Sequence, residues 1–363
     1  MLPIRHYGDT DFITTMRAVA ASMVVVIHTG AFSGYGWIGQ NLTYTGKFGV
    51  HVFFVISGFT VATTFAAAPS YRAYLTRRLF RIVPLYYAII LAAVALYLGN
   101  ILAPNYWQEF FGTDIDFYNV AMHLSLLSFL DYRIGTTIIG VEWTIPIEVF
   151  WYVFLPLFLL GITGWRSFWL VFGGLFLLGV AVAGLAQLLI GFEPGLFISW
   201  FPTTYSPYFM MGVAGYMIRK RGLNQSWLHA NLLVLLAVLA FVLVIVFNPP
   251  MAPVLLALST MLLIGFHDAS SLPAFTRLAV ARPLLFVGSI SYSIYLLHHL
   301  VVDLFHTYLG AVLPERGIWF FLPVYGLTLL LASASYVLIE RPSNSYGARL
   351  AAKSAKGKVA ANL

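Results

Sequence analysis

The sequence predicts an all-α integral membrane protein with about ten transmembrane helices and one re-entrant or interfacial segment. Three observations carry that expectation. Of the 363 residues, 60% are hydrophobic and only 9% are charged, whereas soluble domains carry about 25% charged residues. Apolar runs recur along the chain at close to the ~20 residues that one bilayer crossing needs. The basic residues between those runs collect on one side of the membrane, as the positive-inside rule requires.

In chain order, the expected spans are 12–33, 49–66, 82–99, 143–161, 168–190, 200–218, 231–247, 252–266, 284–308 and 318–339. The first run follows Asp9 and Asp11 and has no basic leader, so it reads as a retained span and not as a cleaved signal peptide. An even number of crossings places both termini on one side. With a cytoplasmic N-terminus, the cytoplasmic loops hold Arg72, Arg77, Arg78 and Arg81; Arg166; Arg219, Lys220 and Arg221; and Arg277 and Arg282. The tail adds Arg341, Arg349, Lys353, Lys356 and Lys358, and only Lys47, Arg133 and Arg316 are left outside.

The run 117–130 (FYNVAMHLSLLSFL) is too short for an ordinary crossing, and crossing would move every later basic loop to the wrong side. It is therefore expected as a re-entrant or interfacial piece of an outer segment, roughly 100–142. That segment contains Trp107, Glu109, Asp114, Asp116 and Asp131. Acids and aromatics together suit stacking on sugars, and equally suit an interfacial loop. Residues 1–342 then make one membrane domain, followed by a basic, disordered cytoplasmic tail, 343–363.

Composition also excludes several classes. Cysteine is absent, so there is no disulfide framework, thiolate nucleophile or cysteine metal site. The net charge of +7 reports topology and not nucleic-acid binding. No phosphate-binding glycine motif or fixed-period repeat occurs.

The chemistry-bearing residues lie inside the spans, where an ionisable group is costly unless it faces a bundle interior or a water cavity. Arg17 and His28 are eleven residues apart, about three helical turns and ~16 Å, and so share one face of the first span. Packing and snorkelling would account for either one alone. His51 opens the second span, Glu148 lies just inside the fourth, and His298 and His299 lie in the outer half of the ninth. Ser291, Tyr295, His299 and Asp303 recur at i, i+4 and form a polar stripe. Histidine is the usual general base near neutral pH, and a carboxylate orients it or balances its charge. Such a cluster also suits zinc, but no HxxH or HExxH spacing is present, and no metal is expected. On the cytoplasmic side, Arg77, Arg78 and Arg81 sit at the mouth of the third span. Guanidinium clusters bind phosphate well, although topology signalling or anionic-lipid contact explains them equally.

Six motifs, in this order, resemble the acyltransferase-3 family of integral membrane acyltransferases, which modify bacterial surface and exported glycans. They are Arg17-x10-His28; FGVHVFFVISGF around Ser57, Gly58 and Phe59; Arg78-x-x-Arg81 followed by IVPLYY; WTIPIE ending in Glu148; SYSIYLLHH; and the closing IERP at Glu340 to Pro342. The resemblance covers nearly the whole chain. Where many members carry an acid, this chain has His51. A hydrolase-like extra domain found in some members is absent, and the chain is similar to stand-alone exopolysaccharide and nodulation-factor O-acetyltransferases. The resemblance implies transfer of an acyl group, usually acetyl, from cytoplasmic acetyl-CoA to a sugar hydroxyl of an exported polysaccharide or lipid-linked oligosaccharide, in the bacterial inner membrane.

Under that reading, Arg77, Arg78 and Arg81 hold the CoA phosphates and Arg17 lines the donor path. His28 acts as the base or carries the acyl group, and Glu148 orients that imidazole. His51, Ser57, Tyr295 and His298 shape the acceptor side. A succinyl donor or a macrolide-like acceptor remains open within the family. Outside it, a proton-coupled transporter would use the same His and Glu residues as a relay.

Overall fold

The computed structural model describes residues 11–190, 194–221, 227–267 and 281–361. Asp9 and Arg277 lie outside the described residues, as do the side chains of Arg221, Lys356 and Lys358. The described residues are helical with connecting turns and contain no strand.

The helices are α1 (Asp11–Thr29), α2 (Gly36–Thr45), α3 (Gly49–Ala66), α4 (Tyr71–Leu98), α5 (Tyr106–Phe111), α6 (Phe117–Leu124), α7 (Thr144–Gly161), α8 (Trp165–Leu189) and α9 (Pro194–Ser199). They continue with α10 (Ser206–Arg221), α11 (Trp227–Phe247), α12 (Ala252–Phe266), α13 (Arg282–Ser289), α14 (Ser291–Leu309), α15 (Ile318–Ser335) and α16 (Arg341–Ala361). A π-helical turn, Tyr336–Glu340, joins α15 to α16.

Each expected span has a helix at its position. Among the described residues, seven helices are long and apolar enough to cross a bilayer, and an eighth crossing arises if the bent pair α13 and α14 is one span. The pair bends by 72° after Ser289. Helices at two of the expected spans are shorter among the described residues: α10 has 16 residues and α12 has 15. At ~1.5 Å per residue, each measures about 24 Å or less, against a hydrocarbon core of about 30 Å. The run 117–130 forms the short helix α6 and the turn Ser128–Leu130, neither of crossing length.

Local signals set several boundaries. Ser70 caps α4 by accepting the Ala73 N–H at 3.2 Å. Asn105 and Gln108 form a capping box at the start of α5, and Asp116 accepts the Asn119 N–H at 2.8 Å to start α6. Inside the bundle, α3 packs on α10 and α1, and α10 on α12, while α14 packs on α1 and α15. The α3–α10 contact is backbone on backbone. A Cβ at Gly58 would run into the Phe209 carbonyl, and one at Gly212 into the Val55 carbonyl. Small residues allow such approach in membrane bundles, where dispersion contacts replace hydrophobic burial as the cohesive force. At the rim, α8 leaves Trp169, Leu170, Leu177 and Leu188 exposed, as a lipid-facing helix should.

Where a disordered tail is expected, the chain continues as α16, which packs along α4. Ser343 Oγ donates to the Phe80 carbonyl at 2.8 Å, and the Tyr346 and Phe80 rings lie 5.4 Å apart. The composition of the tail is that of a disordered segment, but a tertiary surface for its apolar residues overrides that tendency.

Candidate active site

Helices α1, α3, α4, α7 and α14 line a cavity of about 60 Å³. Polar side chains converge on it from each: Arg17, Ser57, Arg81, Glu148 with Tyr152, and Ser291 with Tyr295. Glu148 Oε1 accepts hydrogen bonds from Ser57 Oγ and, at 2.6 Å, from Tyr152 Oη. Tyr152 sits one turn after Glu148, so the chain supplies that donor locally. Arg17 interacts electrostatically with Arg81, Arg78 and Glu148. Glu340, turned inward at the end of the π turn, accepts from Ser293 Oγ at 2.8 Å and also faces Arg81 and Arg17. Three guanidiniums thus meet two carboxylates, leaving an excess of positive charge in a low-dielectric space, a setting that favours an anion.

A second, larger space of about 280 Å³ opens beside the first. Arg77, Arg78, Arg81, Thr64 and Tyr74 line it, together with Asn344 and Ala348 from α16. Arg81 borders both spaces. Arg78 is buried, and its guanidinium donates to the Thr60 carbonyl and to Thr64 Oγ1. It also lies 5.2 Å from the Tyr152 ring centre. These contacts give Arg78 a structural task beyond the ligand-binding one expected of it, while Arg77 stays exposed in the cleft.

Past Tyr295, three imidazoles meet. The His28 ring centre lies 5.2 Å from that of His298 and 4.8 Å from that of His299. His298 is fully buried, and its Nδ1 points at the Tyr295 carbonyl, 2.7 Å away, and at the Ile294 carbonyl. Nδ1 therefore carries the proton and Nε2 is the lone-pair nitrogen. Among the described residues that Nε2 has no hydrogen-bond partner. His299 Nδ1 is 3.2 Å from Asp303 Oδ2. Tyr295 connects the trio to the cavity. Its ring lies 5.9 Å from His298, and its hydroxyl donates to the Val141 carbonyl at 2.8 Å and accepts from Thr144 Oγ1 at 2.9 Å.

Arg77 and Arg78 line the basic cleft, and the other expected residues, His51 excepted, fall into two groups. Arg17, Ser57, Arg81, Glu148 and Tyr295 share the central cavity, while His28 and His298 share the imidazole trio. The carboxylate of Glu148 is engaged by Ser57 and Tyr152, and among the described residues the carboxylate that touches an imidazole of the trio is that of Asp303. His51 belongs to neither group. It lies among Phe48, Tyr205 and Tyr208, with the Tyr208 ring 4.6 Å away.

The segment before α7 adds residues that sequence reasoning left out. Gly140, at φ +80°, lies against the His299 ring, and a Cβ there would come within 2.8 Å of Cε1. Glu142 is fully buried; its Oε1 accepts the Ile138 and Ile139 N–H groups at 2.6 and 3.2 Å. Burial pushes its carboxyl up to about 7. His123 Nε2 stands 3.6 Å from that oxygen, and burial pushes this imidazole down to about 4. His123 Nδ1 meets the Asn119 carbonyl at 2.9 Å, which keeps the proton on Nδ1.

A family model described as an acyltransferase domain matches residues 10–337. No curated protein and no solved structure matches the chain.

Proposed function

The chain belongs to the acyltransferase-3 family, and on that footing we propose that it transfers an acyl group, acetyl above all, from acyl-CoA to a sugar hydroxyl of an exported or surface polysaccharide. The carrying observation is the adjacency of three places: a basic cleft, a polar cavity that shares Arg81 with it, and an imidazole trio reached through Tyr295. A donor with a charged nucleotide head and a long neutral arm suits that order. Arg77 and Arg81 hold the phosphates, and the pantetheine arm extends past Arg17 and Glu148 toward His28. His28 takes the proton of the acceptor hydroxyl as its oxygen attacks the thioester carbonyl. The carbon–sulfur bond breaks, and the departing thiolate takes up the proton that His28 removed, leaving as CoA with the imidazole neutral again. His298 offers a lone pair beside that imidazole, and Asp303 positions His299 against it.

The distribution of basic loops supports a bacterial inner-membrane location with both termini in the cytoplasm. The donor cleft then opens inward, and the acceptor meets the trio from the outer side. Two measurements test the proposal on purified protein in detergent. Labelled acetyl-CoA should bind wild type, and binding should fall at least tenfold in Arg81→Ala. Label should then pass to an acidic or neutral polysaccharide acceptor with wild type and not with His28→Ala. Absence of acetyl-CoA binding by wild type, or unchanged transfer in His28→Ala, overturns the proposal.

A further inference from the structure

We infer that α16, which lies beyond the matched family domain, forms one wall of the donor site, with Asn344 contacting the nucleotide end of acyl-CoA. The inference rests on the donor reading above. Its starting point is how α16 is held. Ser343 is bonded to the Phe80 carbonyl, Tyr346 packs on the Phe80 ring, and Gly347 lies so close to Phe80 that a Cβ would collide with it. Those contacts fix the rotation of the helix about its axis. Asn344 and Ala348, four residues apart and hence on one face, are thereby set along the cleft opposite Arg77, Arg78 and Arg81.

The chemistry of that wall differs from the rest of the cleft. Guanidiniums donate only, which suits phosphate oxygens. Asn344 brings a side-chain amide that both donates and accepts, the pairing that matches the edge of an adenine. Ala348 keeps the wall low, so that the cleft retains its space of about 280 Å³. Arg341, Arg349 and Lys353 on the same helix make it basic as a whole, which suits a ligand that carries several negative charges. A helix that merely covered α4 would have no need of a polar amide turned toward three arginines.

The test uses the full chain in detergent and two labelled donors, acetyl-CoA and acetyl-pantetheine, the second lacking the nucleotide. Asn344→Leu and Ala348→Phe are each expected to weaken acetyl-CoA binding at least tenfold, with acetyl-pantetheine binding and melting temperature unchanged. Wild-type acetyl-CoA binding in both variants, alongside loss in Arg81→Ala, overturns the role of α16 and leaves the donor reading standing. Equal loss of both donors in the two variants also overturns it, because the effect is then not on the nucleotide end. Wild-type binding in Arg81→Ala overturns the inference and the donor reading together.

Discussion

The His28 and His299 rings meet edge to face with their centres 4.8 Å apart, and Asp303 holds His299 from the far side through a 3.2 Å contact with Nδ1. Two helices from opposite ends of the chain, α1 and α14, thus place a carboxylate, an imidazole and a second imidazole in sequence. Removing a general base costs about 10²- to 10⁴-fold in rate, so His28→Ala should lose at least ~10²-fold in label transfer with acetyl-CoA binding unchanged. Asp303→Asn keeps the shape and removes the charge; it should lower turnover roughly tenfold and shift its pH profile, with the KM for acyl-CoA unmoved.

Gly140 supplies an independent probe of the same trio. A Cβ at this position would meet His299 Cε1 at 2.8 Å, and φ is +80°, a region that side-chain-bearing residues occupy at a cost. Gly140→Ala should displace the His299 ring and cut transfer about tenfold or more, while labelled acetyl-CoA still binds. Unchanged transfer would show that the position of His299 is immaterial.

The two inner arginines should separate in their effects. Arg78 is buried, with its guanidinium committed to Thr60 and Thr64 on α3. Arg78→Ala removes the guanidinium that ties α4 to α3 and should lower the melting temperature. Arg81 lines both spaces. Arg81→Ala should raise the KM for acyl-CoA at least tenfold with a near wild-type melting temperature. A thermal melt beside a donor titration distinguishes them.

Glu148 is held by Ser57 and Tyr152 and faces Arg17 across the cavity. Glu148→Gln removes the charge that offsets the arginines and should cut kcat about 10²-fold. Tyr152→Phe removes one donor and should have a smaller effect, about tenfold or less. Equal effects from the two variants would point to the hydrogen bond and not to the charge.

Glu142 makes stability depend on pH. Burial raises its carboxyl from an ordinary 4.5 to about 7, so the folded chain holds this proton more tightly than the unfolded chain does. Its contribution is fully present below about pH 4.5 and is lost as pH rises to about 7. His123, pushed down to about 4, acts in the opposite direction over the same range, so the Glu142 effect is read as a difference: the melting temperature of wild type relative to Glu142→Gln, which stays neutral, should fall across that window.

Much of the site was legible because it repeats along single helices. The spacing of Arg17 and His28, and the stripe through Ser291, Tyr295, His299 and Asp303, need only helical geometry. The Glu148–Tyr152 bond had the same i, i+4 signal and was passed over among many aromatics. Other features required a second element to be in place. The hold of Arg78 on Thr60 and Thr64 exists only once α3 lies beside α4. The approach of Gly140 to His299 depends on an irregular segment that periodicity does not describe. The helical tail was hidden because its composition reflects its own solubility and not the surface of α4 to which it docks. Hydropathy also marks α10 and α12 as spans, and among the described residues these helices hold 16 and 15 residues.

The paired glycines, Gly58 and Gly212, set a mechanical condition on turnover. Where two backbones touch with no side chain between them, there is no layer of rotamers to absorb sliding, and α3 and α10 must travel as one solid part. Ser57 sits next to that weld and carries the hydrogen bond to Glu148. Any breathing that admits a bulky sugar or releases CoA has to come from parts not fused to the seam, and the carboxylate at the centre keeps its address throughout the cycle.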